Sequence, residues 1–196
     1  RTPLTRINLQ TALIKDKNAR LSISKDVEEM KEMIDAYLDF ARGEKKESLK
    51  PTNLHKLIKN INIRSKIKIK GKIEMKLQKN VYANIRQISI KRAIMNLLLN
   101  ASNYSKSLIS ISLESNNKNA FISIDDDGPG IPEQNKEEVF KAFFRLDKSR
   151  GSISGNTGLG LTITRDIIRG HGGEVHLSKS NLGGLKARIR IPLDLN

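Results

Sequence analysis

The chain contains no cysteine in its 196 residues, which excludes disulfides and thiolate metal sites and fits a reducing compartment. It contains no tryptophan, and aromatic residues make up only 4%. No stripe of interleaved arginine and aromatic residues is present to stack single-stranded nucleic acid. No apolar run approaches the roughly 18 to 20 residues of a membrane-spanning helix. No short apolar block follows a basic start, as a secretory signal would require. The three histidines, His55, His171 and His176, lack metal-ligand spacing and read as surface or packing residues. Neither the phosphate loop with its lysine nor the dinucleotide fingerprint of strand, glycines and helix occurs.

What is abundant is positive charge. Lysine and arginine number 36 against 21 acidic residues, a formal net charge of +15. Such an excess can mark a nucleic-acid or membrane surface. Here the lysines are dispersed: Lys66, Lys68, Lys70 and Lys72 alternate with apolar residues or glycine, as on the wet side of strands. With 37% hydrophobic and 29% charged residues, the composition is that of a soluble globular protein with no direct nucleic-acid partner. Only a weak general attraction to anionic surfaces follows from the charge.

The hydrophobic pattern divides the chain. Leu4, Ile7, Thr11 and Ile14 are spaced by three and four, as are Val27, Met30, Ile34, Tyr37 and Ala41. This is the seam of two helices in a coiled coil or bundle, with a turn near Asp16–Arg20 and a start signal at Ser24 and Glu28. Two helices alone close too small a core, so residues 1–44 are expected to dimerise into a four-helix bundle. Gly43–Pro51 reads as a hinge. From 45 to 196 the pattern is mixed. Helices are expected over Asn53–Ile61, Ile85–Ala101, Glu133–Ala142 and Gly160–Arg169. A hairpin is expected around Lys70-Gly71, joining Ile67 and Ile69 to Ile73, Met75 and Leu77. Further strands are expected at Ile109–Leu113, Phe121–Ile124, Val175–Leu177 and Ala187–Ile191. The implied class is α+β: a two-layer α/β sandwich, an open mixed sheet covered on one face by helices.

Four patches in the second part carry chemistry. Asn96, Asn100 and Asn103 lie at i, i+4 and i+7, a polar stripe on an otherwise apolar helix that ends at Tyr104. Buried amides need partners, so the stripe calls for a ligand, metal, water or backbone groups. Asp125-Asp126-Asp127-Gly128-Pro129-Gly130-Ile131 follows a strand. Its glycines let backbone approach a flat ligand, and its carboxylates suit an exocyclic amine, a hard cation or an acidic turn. Gly155-Asn156-Thr157-Gly158-Leu159-Gly160-Leu161 runs into a helix, where free backbone amides favour phosphate. Phe140-Lys-Ala-Phe143-Phe144-Arg145 stands before that loop, as core packing or the anchor of a lid.

In this order the patches resemble the N, G1, F and G2 boxes of sensor histidine kinases, of the EnvZ-like osmosensor type. Arg1-Thr2-Pro3-Leu4-Thr5-Arg6 is similar to the sequence just after the family's phosphoacceptor histidine. The resemblance implies a Bergerat-type ATP-binding fold behind a dimerising helical hairpin. It implies Mg-ATP as the bound species, with Asn100 on Mg²⁺ and Asn96 beside it. Tyr104 would flank the base or ribose, Asp126 would read the adenine amine, and Gly128 and Gly130 would give the base room. Thr157, Gly158, Leu159 and Gly160 would surround the phosphates, with Asn103 near them. Thr2 would assist dephosphorylation of a response regulator receiver domain. The sequence departs from the family pattern in two places: Asn103 stands where many members carry Lys or Arg, and Asn156 where they carry glycine. The acceptor histidine is expected before Arg1, so the chain by itself is not expected to autophosphorylate. A cytoplasmic domain of an inner-membrane protein, anchored through a preceding part, is also implied. The alternative is a degenerate nucleotide-binding or dimerisation module without kinase activity.

Overall fold

A computed structural model describes residues 2–43, 47–61, 71–146 and 158–193. The chain forms two compact units, Arg1–Lys45 and Lys46–Asn196.

The first unit is a helical hairpin of α1, Thr2–Thr11, and α2, Lys17–Gly43. Helix α2 begins well before Ser24 because Asp16 caps it. One carboxylate oxygen of Asp16 accepts the amides of Asn18 at 2.8 Å and Ala19 at 3.1 Å, satisfying donors that a helix start leaves free. Leu4, Thr11 and Val27 are buried between the helices. Ile7, Met30 and Ile34 of the same expected seam stay exposed, as do Leu9, Leu13, Leu21 and Ile23. The side chains of Thr2, Tyr37 and Ala41 lie outside the described residues.

The second unit opens with β1, Lys50–Asn53, and α3, Leu54–Lys59, whose N-cap is the Asn53 side chain. Strand β2 is Lys72–Leu77, β3 is Tyr82–Ile85, and helix α4 is Gln87–Tyr104. Then come β4, Leu108–Ser115, and β5, Asn119–Asp126. Two 3-10 turns, α5 at Gly160–Arg169, β6 at Glu174–Lys179 and β7 at Leu185–Pro192 complete the unit. Strands β1 and β3 form a small antiparallel pair that the sequence pattern did not suggest. The main sheet runs β2-β4-β5-β7-β6 and is mixed: β2 lies parallel to β4, and the remaining pairs are antiparallel.

Strict alternation decides the two faces of this sheet. Ile109, Ile111 and Leu113 of β4, Ile122 and Ile124 of β5, and Ile189 and Ile191 of β7 are buried. Ile90, Ile94 and Leu98 of α4 and Ile163, Ile167 and Ile168 of α5 complete the core. The opposite sheet face is polar. There Arg188 stacks over the Phe121 ring at 4.2 Å, and Arg190 pairs with Glu174 at 3.4 Å. The two-layer sandwich expected from the sequence is therefore present.

One expectation lies partly outside the described residues and one needs correction. Strand β2 pairs with β4, and a side chain at Gly71 would collide with the Ser107 carbonyl at 2.0 Å. The first arm of the expected hairpin, Ile67 and Ile69, lies outside the described residues. The helix expected over Glu133–Ala142 is reduced to the 3-10 turns Glu133–Asn135 and Glu138–Phe140. Only Val139 and Phe140 there find apolar cover, and Phe143 turns left-handed at φ 66°, which a right-handed helix cannot continue.

His171 is fully buried, as a packing role requires. Its Nε2 accepts the Arg86 amide at 3.0 Å, so its Nδ1–H donates to the Ile167 carbonyl at 2.6 Å. Glu47 caps the same end of α4 from outside the helix, accepting the amides of Ile88 at 2.7 Å and Ser89 at 3.1 Å. Asp127 pins the α4–β4 connection. Its carboxylate accepts the Ser107 hydroxyl at 2.7 Å and the amides of Lys106, Ser107 and Leu108. These bonds, led by that from Ser107, lower its pKa to about 2. The stabilisation is complete above the unfolded value of roughly 3.9 and is lost as the pH falls toward about 2. Asp127→Ala is therefore expected to lower the thermal midpoint at pH 7. The gap to the unaltered chain should narrow in melts taken from about pH 4 down toward about pH 2; a pH-independent gap would contradict the assignment.

Candidate functional site

Helix α4 buries Ala93, Leu97 and Ala101 and turns its asparagines along one side. Asn96 donates its amide to the Gly160 carbonyl at 3.2 Å, at the first residue of α5. One turn further on, the Asn100 Oδ1 lies 4.0 Å from the position that a side chain at Gly160 would take. The buried Thr164 reinforces the seam, donating to the Gly160 carbonyl at 2.8 Å and lying 3.5 Å from the Ala93 carbonyl. A side-chain carbon at 160 would meet Asn96 and Asn100 at ordinary contact distance.

These elements enclose a cavity of about 450 Å³. Asn100 and Tyr104 come from α4, Asp126 from the end of β5, and Gly130, Ile131 and Pro132 from the loop that follows. Val139 lines it from the second 3-10 turn, and Phe144, Arg145 and Leu146 from the segment that follows. Gly158, Gly160 and Leu161 come from the start of α5, and Leu185 from β7. The volume is that of a small-molecule site, apolar over much of its wall with a few polar groups at one side.

The three consecutive aspartates do three different things. Asp125 points to the polar sheet face, where it accepts the Ser180 hydroxyl at 2.8 Å and lies 3.8 Å from the Lys186 ammonium. Asp127 holds the α4–β4 connection. Asp126 alone reaches the cavity. The hard-cation reading of the triplet is thereby excluded, since alternation sends neighbours to opposite faces. Among the described residues, no three His, Cys, Asp or Glu side chains converge on a metal site.

Asp126 is 4% exposed, and its Oδ1 accepts the amides of Gly128 at 2.8 Å and Leu185 at 3.1 Å. Burial raises its pKa above the ordinary value, the charges of Asp127 and Asp125 add to this, and the two amide bonds oppose it. Backbone crowds this carboxylate: a side chain at Gly128 would lie 2.6 Å from the Tyr104 carbonyl and 2.9 Å from Asp126.

Of the residues singled out in the sequence, Asn100, Tyr104, Asp126, Gly130, Gly158 and Gly160 share the cavity wall. Asn96 supports it from one turn away, Gly128 stands behind Asp126, and Leu159 is buried in the core. Asn103 is exposed and outside the lining. Thr157 lies outside the described residues, and Thr2 belongs to the other unit. Gly184 and Leu185 were missed. Ser180, Asn181 and the Gly183-Gly184 doublet mark a turn there, and nothing in them signals contact with Asp126.

Residues 85–195 match the model of the histidine kinase-, DNA gyrase B- and HSP90-like ATPase family. The chain is 31% identical over 199 residues to the sensor histidine kinase GtrS of Pseudomonas aeruginosa, covering 98% of this chain and 39% of that protein. It is 30% identical over 207 residues to the sensor histidine kinase CpxA of Escherichia coli, covering 98% and 44%. It thus spans about two fifths of the length of these relatives. Among solved structures, the kinase domain of the E. coli osmosensor EnvZ aligns with a TM-score of 0.58 at 30% identity, covering 77% of this chain and 92% of that one. The mycobacterial sensor histidine kinase MprB aligns with a TM-score of 0.64 at 26% identity, covering 73% and 97%.

Burial makes the Asp126 charge costly to the fold. That cost develops as the pH rises through the ordinary carboxylate range toward the raised value, and is complete above it. Asp126→Asn keeps an acceptor for both amides and removes the charge. It is expected to melt higher than the unaltered chain at pH 7, with the advantage fading as the pH falls below the raised value. A lower melting point for the variant at pH 7 would mean that the fold itself needs the charge.

Proposed function

Because this chain belongs to the histidine kinase-, DNA gyrase B- and HSP90-like ATPase family, on its sensor histidine kinase side, we propose that it binds Mg-ATP in the cavity and transfers the γ-phosphoryl group to a histidine on a helical bundle, from which a response regulator receives it. The observation that carries this reading is one buried carboxylate, Asp126, on the same cavity wall as Asn100 and the glycine-flanked start of α5. A flat base with an exocyclic amine suits the Asp126 end, beside Gly130 and Tyr104. A polyanion suits the other end, where Gly158 and Gly160 stand at a helix N-terminus.

The donor set fits magnesium. Asn100 offers one neutral oxygen, and no acidic cluster competes among the described residues, which suits an ion that draws its remaining ligands from phosphates and water. Magnesium, when bound, neutralises phosphate charge that would otherwise oppose transfer. The chain's own part is positioning. Asn100 orients the phosphates from α4, Asn96 keeps the start of α5 against that helix, and Thr157, Gly158, Leu159 and Gly160 surround the phosphates. Asn103 lies toward the solvent side. Phe140 to Thr157 acts as a lid that excludes water. No nucleophile is required of this unit, because the imidazole is supplied by the bundle.

In this proposal residues 1–44 dimerise, which would cover Ile7, Met30, Ile34 and the other apolar side chains that the single hairpin leaves exposed. Residues 45–196 form the ATP-binding domain, and Thr2 assists dephosphorylation of the receiver domain. No described helix is long and apolar enough to cross a membrane; by analogy with sensor kinases, the parent protein is membrane-anchored with this part in the cytoplasm. The test is transfer of γ-labelled phosphate from Mg-ATP to a separate helical hairpin bearing the family's acceptor histidine. Label is expected on the hairpin, and Asn100→Ala should reduce it on the order of a hundredfold, the scale of a lost metal contact. Measurable ATP binding with no labelled hairpin would turn the reading to a nucleotide-binding module without kinase activity.

A further inference from the structure

We infer that the β6–β7 turn, keyed by the buried hydroxyl of Ser180, is the positioning element that decides how the Asp126 carboxylate faces the nucleotide; this rests on the cavity being an adenine site. Ser180 is 3% exposed and uses its hydroxyl in both directions. The oxygen donates to Asp125 Oδ1 at 2.8 Å and accepts the Leu182 amide at 3.1 Å. Its backbone closes the turn on itself: the Ser180 amide donates to the Gly184 carbonyl at 2.9 Å, and the Gly183 amide to the Ser180 carbonyl at 3.0 Å.

The far end of the turn grips the next residue of β5. Gly184 donates to the Asp126 carbonyl at 3.1 Å, and Leu185 donates to Asp126 Oδ1 at 3.1 Å. Asp125 and Asp126 point to opposite faces of β5, so the turn straddles the strand end. Ser180 holds the polar face and the Leu185 amide holds the cavity face. Contact is close enough that a side chain at Gly184 would fall 2.2 Å from Asp126 Oδ1 and 2.4 Å from the Gly128 amide. Both described hydrogen bonds of the Asp126 side chain fall on Oδ1. Oδ2 is therefore the atom offered to an amine in the cavity, and its direction follows from where the turn sets the Leu185 amide.

The experiment compares ATP with inosine triphosphate, which lacks the exocyclic amine, by calorimetry on the whole chain with magnesium. Ser180→Ala is expected to weaken ATP binding about tenfold, the worth of one well-placed hydrogen bond, while leaving inosine triphosphate nearly unchanged. Ser180→Thr keeps the hydroxyl and should keep the preference. Asp125→Ala removes the same bond from the other side and should lose the preference as Ser180→Ala does. A loss shared equally by both nucleotides, or an unchanged preference while Asp126→Asn abolishes it, would overturn the positioning role and leave Asp126 as the reader. A preference that survives Asp126→Asn would overturn the adenine reading itself, and the inference with it.

Discussion

The structure of the second unit depends on the seam between α4 and α5. Each helix must bury one side on the sheet, yet the two also pack against each other with polar atoms between them. Asn96 meets the Gly160 carbonyl and Thr164 reaches across to Ala93, so the buried polar groups of the seam find partners and avoid the penalty of unpaired burial. The seam also sets the site, because Asn100 lies one turn beyond Asn96 and lines the cavity together with Gly160 and Leu161 of α5. At its other end, α4 is held by Glu47 and by the buried His171, which meets the Arg86 amide. The helix that carries the polar stripe is thus fixed at both ends.

The acidic triplet shows how a strand distributes one kind of residue among unrelated tasks. Asp127 stabilises a loop through many local bonds and ionises easily. Asp125 serves the polar sheet face. Asp126 is buried, held by two amides and raised in pKa, so it costs the fold something that a neutral residue would not. In the function proposed above, that cost serves recognition of the base's amine. Adjacent identical side chains, Asp126 and Asp127, acquire opposite electrostatic environments, and the difference comes from the alternation at the end of β5 and the different elements that each meets.

Much of the fold was legible because period and burial coincide. The buried alternation of β4, β5 and β7 and the spacing of α4 gave the right element types and the two-layer class. The errors came where local signals competed with distant partners. Glu133–Ala142 contains good helix formers, yet only Val139 and Phe140 find apolar cover there and Phe143 leaves right-handed geometry. Asp16 outcompeted Ser24 as a cap because its carboxylate could reach two amides.

The sequence alone determined the order of the four patches, the helical placement of Asn96 and Asn100, and the glycine-flanked strand end at Asp126, since these depend on local spacing and residue type. It did not determine which of the three aspartates enters the cavity or that Asn103 faces solvent, because strand register and helix rotation are set by packing against other elements. Nor did it indicate the role of Ser180, Gly184 and Leu185, which lie more than fifty residues from the aspartates they hold. Only the pairing of β7 with β5 brings them there, and no periodicity along a chain records which strands will become neighbours.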